Sequence, residues 1–399
     1  MEYNFFRDYN YYRNVFKGIS MPFAFVDMDM FTKNTEDIIK RSGNKKIRIA
    51  SKSIRCVDLI KKILSSDPIF QGIMCFHPLE AIHLGEQGFD DLLIAYPVYA
   101  NQQISAICKE IKKNKTIILM ADLPDHVQQL NRIAEQENCI IPVCMDIDMS
   151  SNFGSLHFGV RRSSITTVEQ AEILGEQIKN LKNIRFEGIM GYEAQIAGVG
   201  DITDSVARNL VIPVLKKRSI KELAQRRAAI VNKIQAQGHQ LKFVNGGGTG
   251  SAETTITESC ITELTVGSGF YSPGLFDHYK QFRHLPAAAY AIEITRNPYP
   301  NIYTCYGGGY TASGSIERNK LPIPYLPVGA KLIDTEGAGE VQTPIVYKGT
   351  EKLKLGDPIF MRHAKAGELC ERFNSLLLVK DGKIIDEVKT YRGEGKCFL

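Results

Sequence analysis

The chain has 399 residues, 44% of them hydrophobic and 23% charged, with a formal net charge of +5. That is ample for a large core, and it suits two or three domains, or one barrel with a smaller partner. The basic excess is mild and scattered, which excludes the concentrated footprint of a nucleic-acid-binding surface, and no stretch approaches the roughly 20 apolar residues that span a bilayer.

The N-terminal MEYNFFRDYNYYRNVF is aromatic and charged, unlike a secretory leader. The nine cysteines show no C-x-x-C pair. A reduced, soluble, cytoplasmic protein without disulfides is therefore expected. A short strand, Phe23–Asp27, comes next and reads as an entry strand to the alternating region after it. There eight apolar runs alternate with amphipathic segments: Ile47–Ser51, Gly72–Cys75, Leu92–Ala95, Thr116–Ala121, Ile141–Asp146, Phe186–Gly191, Leu241–Asn245 and Thr262–Val266. Continuous apolar runs without alternation suit parallel strands buried on both faces.

The intervening segments read as helices. Ile54, Val57, Ile60, Ile63 and Leu64 form one apolar stripe, Pro78 opens the next helix and Gly88 closes it. Thr166 with Glu169 has capping-box spacing. A longer helical insertion, about Asp204 to Gln237, separates the sixth and seventh runs. Eight such units argue for a closed (β/α)₈ barrel, with an open doubly wound sheet as the alternative. Beyond about residue 280 the helical period gives way to short β-like runs at Lys331–Asp334, Pro344–Tyr347, Pro358–Met361 and Leu376–Val379. Asp381-Gly382 marks a hairpin turn there. The expected fold is thus α/β: a barrel over residues 20–278 and a C-terminal all-β domain over 279–399, which residues 1–19 join.

Barrel chemistry gathers at the carboxyl ends of the strands. Lys52 follows the first run, His77 the second, Tyr96 the third and Asp122 the fourth. Asp146 and Asp148 end the fifth, and Tyr192, Glu193 and Gln195 follow the sixth. The seventh delivers Gly246-Gly247-Gly248-Thr249-Gly250, and the eighth Gly267-Ser268-Gly269-Phe270-Tyr271. Either glycine loop alone is as readily a tight turn. Two of them in these two places, each with a hydroxyl, point to a phosphate site, because glycine lets backbone amides approach an anion. A lysine sheltered at the opposite strand end is suited to nucleophilic attack on a carbonyl cofactor. His77, Asp146 and Asp148 read more simply as caps or turn formers, and Cys56, Cys75, Cys108 and Cys144 as small core residues.

The segments PFAFVDMDMF (22–31), RIASKSIR (48–55), LLIAYPV (92–98), MDIDMSSNFGSLHFGVRRS (145–163), EGIMGYEAQIAGVGD (187–201), VNGGGTGS (244–251), TELTVGSGFY (262–271) and GDPIFMRHAKAGELCERFN (356–374) resemble the fold-type III pyridoxal 5′-phosphate (PLP) enzymes, the alanine-racemase barrel family. The likeness is greatest to the D-threonine aldolase and D-serine dehydratase branch. It implies that Lys52 forms the Schiff base with PLP and that Gly247, Gly248, Thr249, Gly267, Ser268 and Tyr271 hold its phosphate and rim. Tyr192 would lie beside it, and His157, Arg161 or Arg162, with Arg161 preferred, would face the pyridine nitrogen. It implies a homodimer and a small amino-acid substrate; the scattered charge and short apolar runs already speak against a nucleic-acid or membrane partner. Relatives bind a divalent ion through a His followed closely by a Cys or Asp. Here His363 and Cys370, spaced more widely, are the candidate ligands for zinc or manganese.

The activity implied is a lyase on a β-hydroxy D-amino acid, by retro-aldol cleavage or dehydrative deamination through a Lys52 aldimine. Two alternatives remain. A racemase on the same fold would draw a second base from Tyr303, Tyr306 or Tyr310, and a PLP carrier would bind the cofactor without turnover.

Overall fold

A computed structural model of the protein describes residues 7–203, 205–314, 317–365 and 367–398. Its centre is a closed barrel of eight strands: Lys46–Ala50, Phe70–Cys75, Leu92–Pro97, Ile117–Ala121, Ile141–Asp146, Ile184–Gly191, Phe243–Gly246 and Glu263–Val266. All neighbouring pairs are parallel, and the last closes on the first, Glu263 opposite Lys46 and Val266 opposite Ile49. The eight apolar runs are these strands, and closure excludes the open sheet.

Why the runs are apolar throughout is visible in the packing. Leu93, Ile118, Met120, Cys144, Met190 and Phe243 form one buried cluster, while Ile47, Ile49, Ile73, Leu92, Leu119, Val143 and Ile189 belong to the larger core shared with the helices. Each strand therefore buries both faces. A charged network also lies inside. Arg48, 1% exposed, donates from Nε to Glu263 at 2.8 Å and from Nη1 to Asp91 at 2.9 Å, with Phe243 beneath its guanidinium. Asp91 immediately precedes the third strand, so this network closes the amino end of the barrel and leaves the carboxyl end for chemistry.

The second helix expected in the barrel runs from Pro78 to Glu86, and Gly88 beyond it takes φ +92°. The capping box lies one residue later than the sequence spacing suggests. Thr167, not Thr166, caps Val168–Lys179, because the Gln170 side chain reaches back to accept from the Thr167 and Thr166 amides. The insertion is a single helix, Val206–Ala236, with Pro213 in its first turns; Asp204, its expected start, lies outside the described residues.

The C-terminal region is sheet-rich, as expected, but its sheet draws on both ends of the chain. The long strand Ala288–Tyr299 pairs with Ile302–Tyr306 and Pro358–Arg362, and on another edge with Phe23–Asp27. Phe23–Asp27 in turn pairs with Ser375–Lys380. The expectation that Phe23–Asp27 enters the barrel is thus corrected: Phe23 and Phe25 pack with Phe16, Tyr12 and Phe360 in a separate core. The turn at Asp381-Gly382 has φ +48° and +73°, the pair of positive values a two-residue hairpin needs. Among the described residues no helix is long and apolar enough to cross a membrane, and the nine cysteines form no disulfide.

Candidate active site

The first barrel strand ends in a single 3₁₀ turn, Ser51–Ser53, which exposes Lys52 at the carboxyl end of the barrel. Its ammonium donates to the Tyr96 hydroxyl at 3.3 Å, the residue at the end of the third strand. The turn is held from several sides. Ser51 Oγ donates to the Met74 carbonyl at 2.9 Å, and Arg55 Nε returns to the Lys52 carbonyl at 3.0 Å while its guanidinium also grips Glu371. Gly367 lies so close that a Cβ there would collide with the Lys52 carbonyl oxygen. The backbone of Lys52 is fixed, and its side chain is left to reach into the mouth.

The two glycine loops meet this turn. A Cβ on Gly267 would stand 2.7 Å from Ser53 Cβ and 2.9 Å from the Ala50 carbonyl, so only glycine fits there. Ser268 Oγ lies 3.4 Å from Ser53 Oγ. Thr249 Oγ1 accepts from the Gly269 amide at 3.1 Å and so ties the seventh loop to the eighth. Gly247 has φ +74°, and a Cβ on Gly248 would crowd Tyr192 Cε2 at 3.2 Å. Lys52, Tyr192, Gly247, Gly248, Thr249, Gly267 and Ser268 are therefore brought to one end of the barrel, around its mouth.

Behind the seventh loop is a charged support that the sequence did not disclose. Glu193, 2% exposed, accepts from the Gly247 amide at 3.1 Å, from Ser251 Oγ at 3.1 Å and from Thr255 Oγ1. Fully buried Arg227, from the inserted helix, neutralises it at 2.9 Å and also donates to the Gly191 carbonyl and to Glu258. Arg41 braces the loop further along, donating to the Thr249 carbonyl at 2.6 Å.

Three predicted positions behave differently. Tyr271 is fully buried and its hydroxyl donates to the Ile54 carbonyl at 3.0 Å, so it packs under the Lys52 turn rather than rimming a phosphate. Of the candidates in the GVRRS segment, Arg162 is the one whose charge acts on Asp146, Tyr192 and Lys365. Arg161 and Arg162 are both exposed, and His157 is engaged with Asn152 and the Val160 carbonyl on a small hairpin, Ser151–Phe153 with Leu156–Phe158.

His363 and Cys370 flank Tyr271. His363 is fully buried; neither ring nitrogen has a well-formed hydrogen bond, the Ala288 backbone being its polar neighbour, and burial with the Arg362 charge lowers its pKa to about 3. Cys370 Sγ is committed to the Ile54 carbonyl at 3.3 Å. Among the described residues no three His, Cys, Asp or Glu side chains come together in a set that could hold a metal ion. His363 and Cys370 by themselves supply two donors, and the thiol of one is already turned to a backbone carbonyl.

The bland expectation holds for His77, whose Nδ1 caps the helix at Leu79, and for Asp148, whose carboxylate closes a turn on Ser150. Asp146 is another matter. Burial, reinforced by the carboxylates of Asp122 and Asp148 and opposed by Arg162, pushes it up to about 8. A carboxyl that holds its proton far more firmly than an ordinary aspartate thus sits at the mouth. Tyr192 is likewise raised, to about 12, by burial and by Glu193. Of the tyrosines considered as a second base, Tyr306 is exposed, while the Tyr310 hydroxyl is buried without a partner beneath Arg372.

Residues 26–273 match the family model for the alanine racemase N-terminal domain. The chain belongs to that family. It is 24% identical over 253 residues to the 3-hydroxy-D-aspartate aldolase of Paracoccus denitrificans (strain Pd 1222), a match covering 63% of this chain and 60% of that protein's length. Its structure is similar to the D-threonine aldolase from Filomicrobium marinum, with a TM-score of 0.80, 16% identity and coverage of 94% and 96% of the two chains. The D-threo-3-hydroxyaspartate dehydratase from Delftia sp. HT23 gives a TM-score of 0.73, 14% identity and coverage of 96% and 99%. Two variant structures of a D-threo-3-hydroxyaspartate dehydratase, both 13% identical, have a histidine and, two positions on, a cysteine replaced by alanine; the cysteine variant is in a metal-free form. At these identities the structural likeness is one of fold.

Proposed function

We propose that the protein is a PLP-dependent lyase acting on β-hydroxy D-amino acids. The observation that carries this reading is the meeting of Lys52 with two glycine loops, the Gly267 Cβ position blocked by the Lys52 turn itself and the Gly248 position crowded by Ala197 and Tyr192. Such a cradle accepts a flat, phosphorylated aldehyde: the amine of Lys52 for its carbonyl carbon, and the Thr249 and Ser268 hydroxyls with the backbone of the 267–268 turn for its phosphate, while the Gly247 and Gly248 amides are engaged by Glu193 and Ser251 and hold the seventh loop in shape. The similarity to aldolases and a dehydratase of β-hydroxy D-amino acids supports the substrate class.

Bound there, PLP supplies an electron sink for the bond broken at Cα. The chain supplies the rest. Lys52, beside the Tyr96 hydroxyl, is the group placed to carry a proton at Cα. Arg162 sets the charge on the side of the mouth near Tyr192. Glu193 and Arg227 keep the seventh loop in register for an anion. Loss of a β-hydroxyl with the Cα proton gives dehydration; cleavage of Cα–Cβ gives the aldol products.

The test is a visible spectrum of the purified protein before and after D-threonine, D-serine and 3-hydroxy-D-aspartate, with assay of glycine, aldehyde, ammonia and keto acid. A cofactor band that shifts with one of these substrates and yields its products is expected, and Lys52→Ala should lack both band and turnover. Turnover retained by Lys52→Ala would overturn the assignment.

A further inference from the structure

Lys365 stands two positions after His363, on the segment that leaves the strand Pro358–Arg362 and folds over the Lys52 turn. It is half-buried, and its ammonium donates to Ser313 Oγ at 2.7 Å and to the Ser313 carbonyl at 3.3 Å. Ser313 is itself anchored, its amide donating to Glu368 at 3.0 Å. Burial lowers the Lys365 pKa; Glu368 opposes this, and the charges of Lys320, Lys52 and Arg162 act with burial. The chain two residues on abuts the Lys52 turn, since a Cβ on Gly367 would meet the Lys52 carbonyl, so an ammonium held by Ser313 stands on the segment that borders the mouth.

This arrangement is the electrostatic opposite of a divalent-metal site. A metal ion requires deprotonated or neutral donors and gains from surrounding carboxylates. The dehydratase variants replace a histidine and a cysteine two positions on; two positions after His363 this chain carries a lysine, and among the described residues His363 and Cys370 do not gather a third donor. An ammonium has three N–H groups; Ser313 occupies two, which leaves one for an incoming oxygen.

We propose that Lys365 supplies the fixed positive charge for the β-oxygen of the substrate, in place of a divalent metal ion, so that the enzyme works metal-free. The inference rests on the lyase reading for its substrate, whereas its metal half stands independently. A lysine in this role binds the oxygen by one charge-assisted hydrogen bond and stabilises negative charge that develops on it. Lys320 and Arg162 keep anions favourable in the mouth, and Ser313 fixes the direction of the remaining N–H.

The experiment uses the holoenzyme in two measurements. First, protein incubated with excess Mn²⁺ or Zn²⁺ and desalted is assayed for metal content, alongside His363→Ala. The expected result is far less than one ion per chain, equal in the two proteins; a stoichiometric ion lost on His363→Ala would overturn the proposal, whatever the substrate proves to be. Second, Lys365→Met and Lys365→Arg are compared with the parent in chelator-treated buffer. Lys365→Met should keep the cofactor band, which shows an intact site, and lose about 10- to 100-fold in kcat/KM, the worth of a hydrogen bond to a charged group, with partial recovery in Lys365→Arg. Similar losses for D-threonine and for 3-hydroxy-D-aspartate support a contact to the β-oxygen they share. A loss confined to the dicarboxylic substrate would assign Lys365 to the distal carboxylate and overturn the proposal, as would undiminished kcat/KM in Lys365→Met. Absence of turnover in the parent would be a failure of the lyase reading and leaves the metal content to decide the metal-free claim.

Discussion

At the scale of single residues, the mouth holds groups whose protonation has been moved by burial, and these set a pH signature. Asp146 in the folded protein is raised to about 8 by burial and by Asp122 and Asp148, whereas an exposed aspartate titrates near 4. Between these values the folded state carries a proton that the unfolded state lacks. Stability contributed by this group therefore falls as pH rises through that window. Asp146→Asn, which mimics the neutral form, is expected to gain on the parent between about pH 5 and about pH 8, by at most about 1.4 kcal/mol per pH unit. Urea unfolding of both proteins across that range checks it, and a constant difference would refute it. His284 works in the opposite sense. Burial and Arg41 lower it to about 3, so it opposes folding progressively as pH falls below the usual histidine range. Glycine geometry gives a second residue-scale expectation. A methyl group on Gly267 meets Ser53 and Ala50; Gly267→Ala should weaken PLP affinity at least about tenfold, the effect of moving a backbone donor by a few tenths of an ångström in a tight site. Equilibrium binding by absorbance measures it directly.

At the scale of elements, the inserted helix Val206–Ala236 is a support for the phosphate loop rather than a surface ornament. Its Arg227 is fully buried and neutralises Glu193, which in turn orients Gly247, Ser251 and Thr255. Arg227→Met leaves Glu193 buried and unpaired, and a cost of about 3–5 kcal/mol is expected. Adding Glu193→Gln removes the stranded charge while an amide oxygen can still accept from Gly247, so the double variant should be more stable than Arg227→Met alone. Chemical denaturation of the two variants decides the point; equal destabilisation would show the pair to be uncoupled. These residues also show where sequence reading stops. Lys52 is legible because it directly follows an apolar run, and the glycine loops because strand ends carry function in this fold. Arg227 lies 34 positions from its carboxylate, and nothing in an amphipathic helix distinguishes an arginine turned inward. Lys365 reads in sequence as a mere spacer between His363 and Cys370, since its neighbours Ser313 and Lys52 come from remote segments.

At the scale of the whole molecule, the barrel is legible because a strand buried on both faces leaves an unbroken apolar run, repeated here eight times. The C-terminal sheet is less so, because its order depends on a strand from the other end of the chain. Phe23–Asp27 lies between Ala288–Tyr299 and Ser375–Lys380, antiparallel to one and parallel to the other. Among the described residues no other strand joins those two. Its Asp27 is fully buried, accepting from Arg7 and from Tyr12 at 2.9 Å, while Tyr12 and Phe16 cover Phe25. Without it the sheet separates into a larger portion and the lone hairpin Ser375–Lys389, and an isolated two-stranded hairpin is at best marginally stable in water. The fragment 279–399 produced alone is accordingly expected to remain unfolded, with poorly dispersed amide resonances. Supplying residues 7–278 as a second fragment should restore dispersion, because it returns the central strand and its aromatic cover. A folded 279–399 on its own would show that the strand merely decorates the sheet. An unfolded one, rescued by the N-terminal fragment, would mean that the region closing over Lys52 cannot form until residues 7–27 are in place, so barrel and sheet assemble as one cooperative unit.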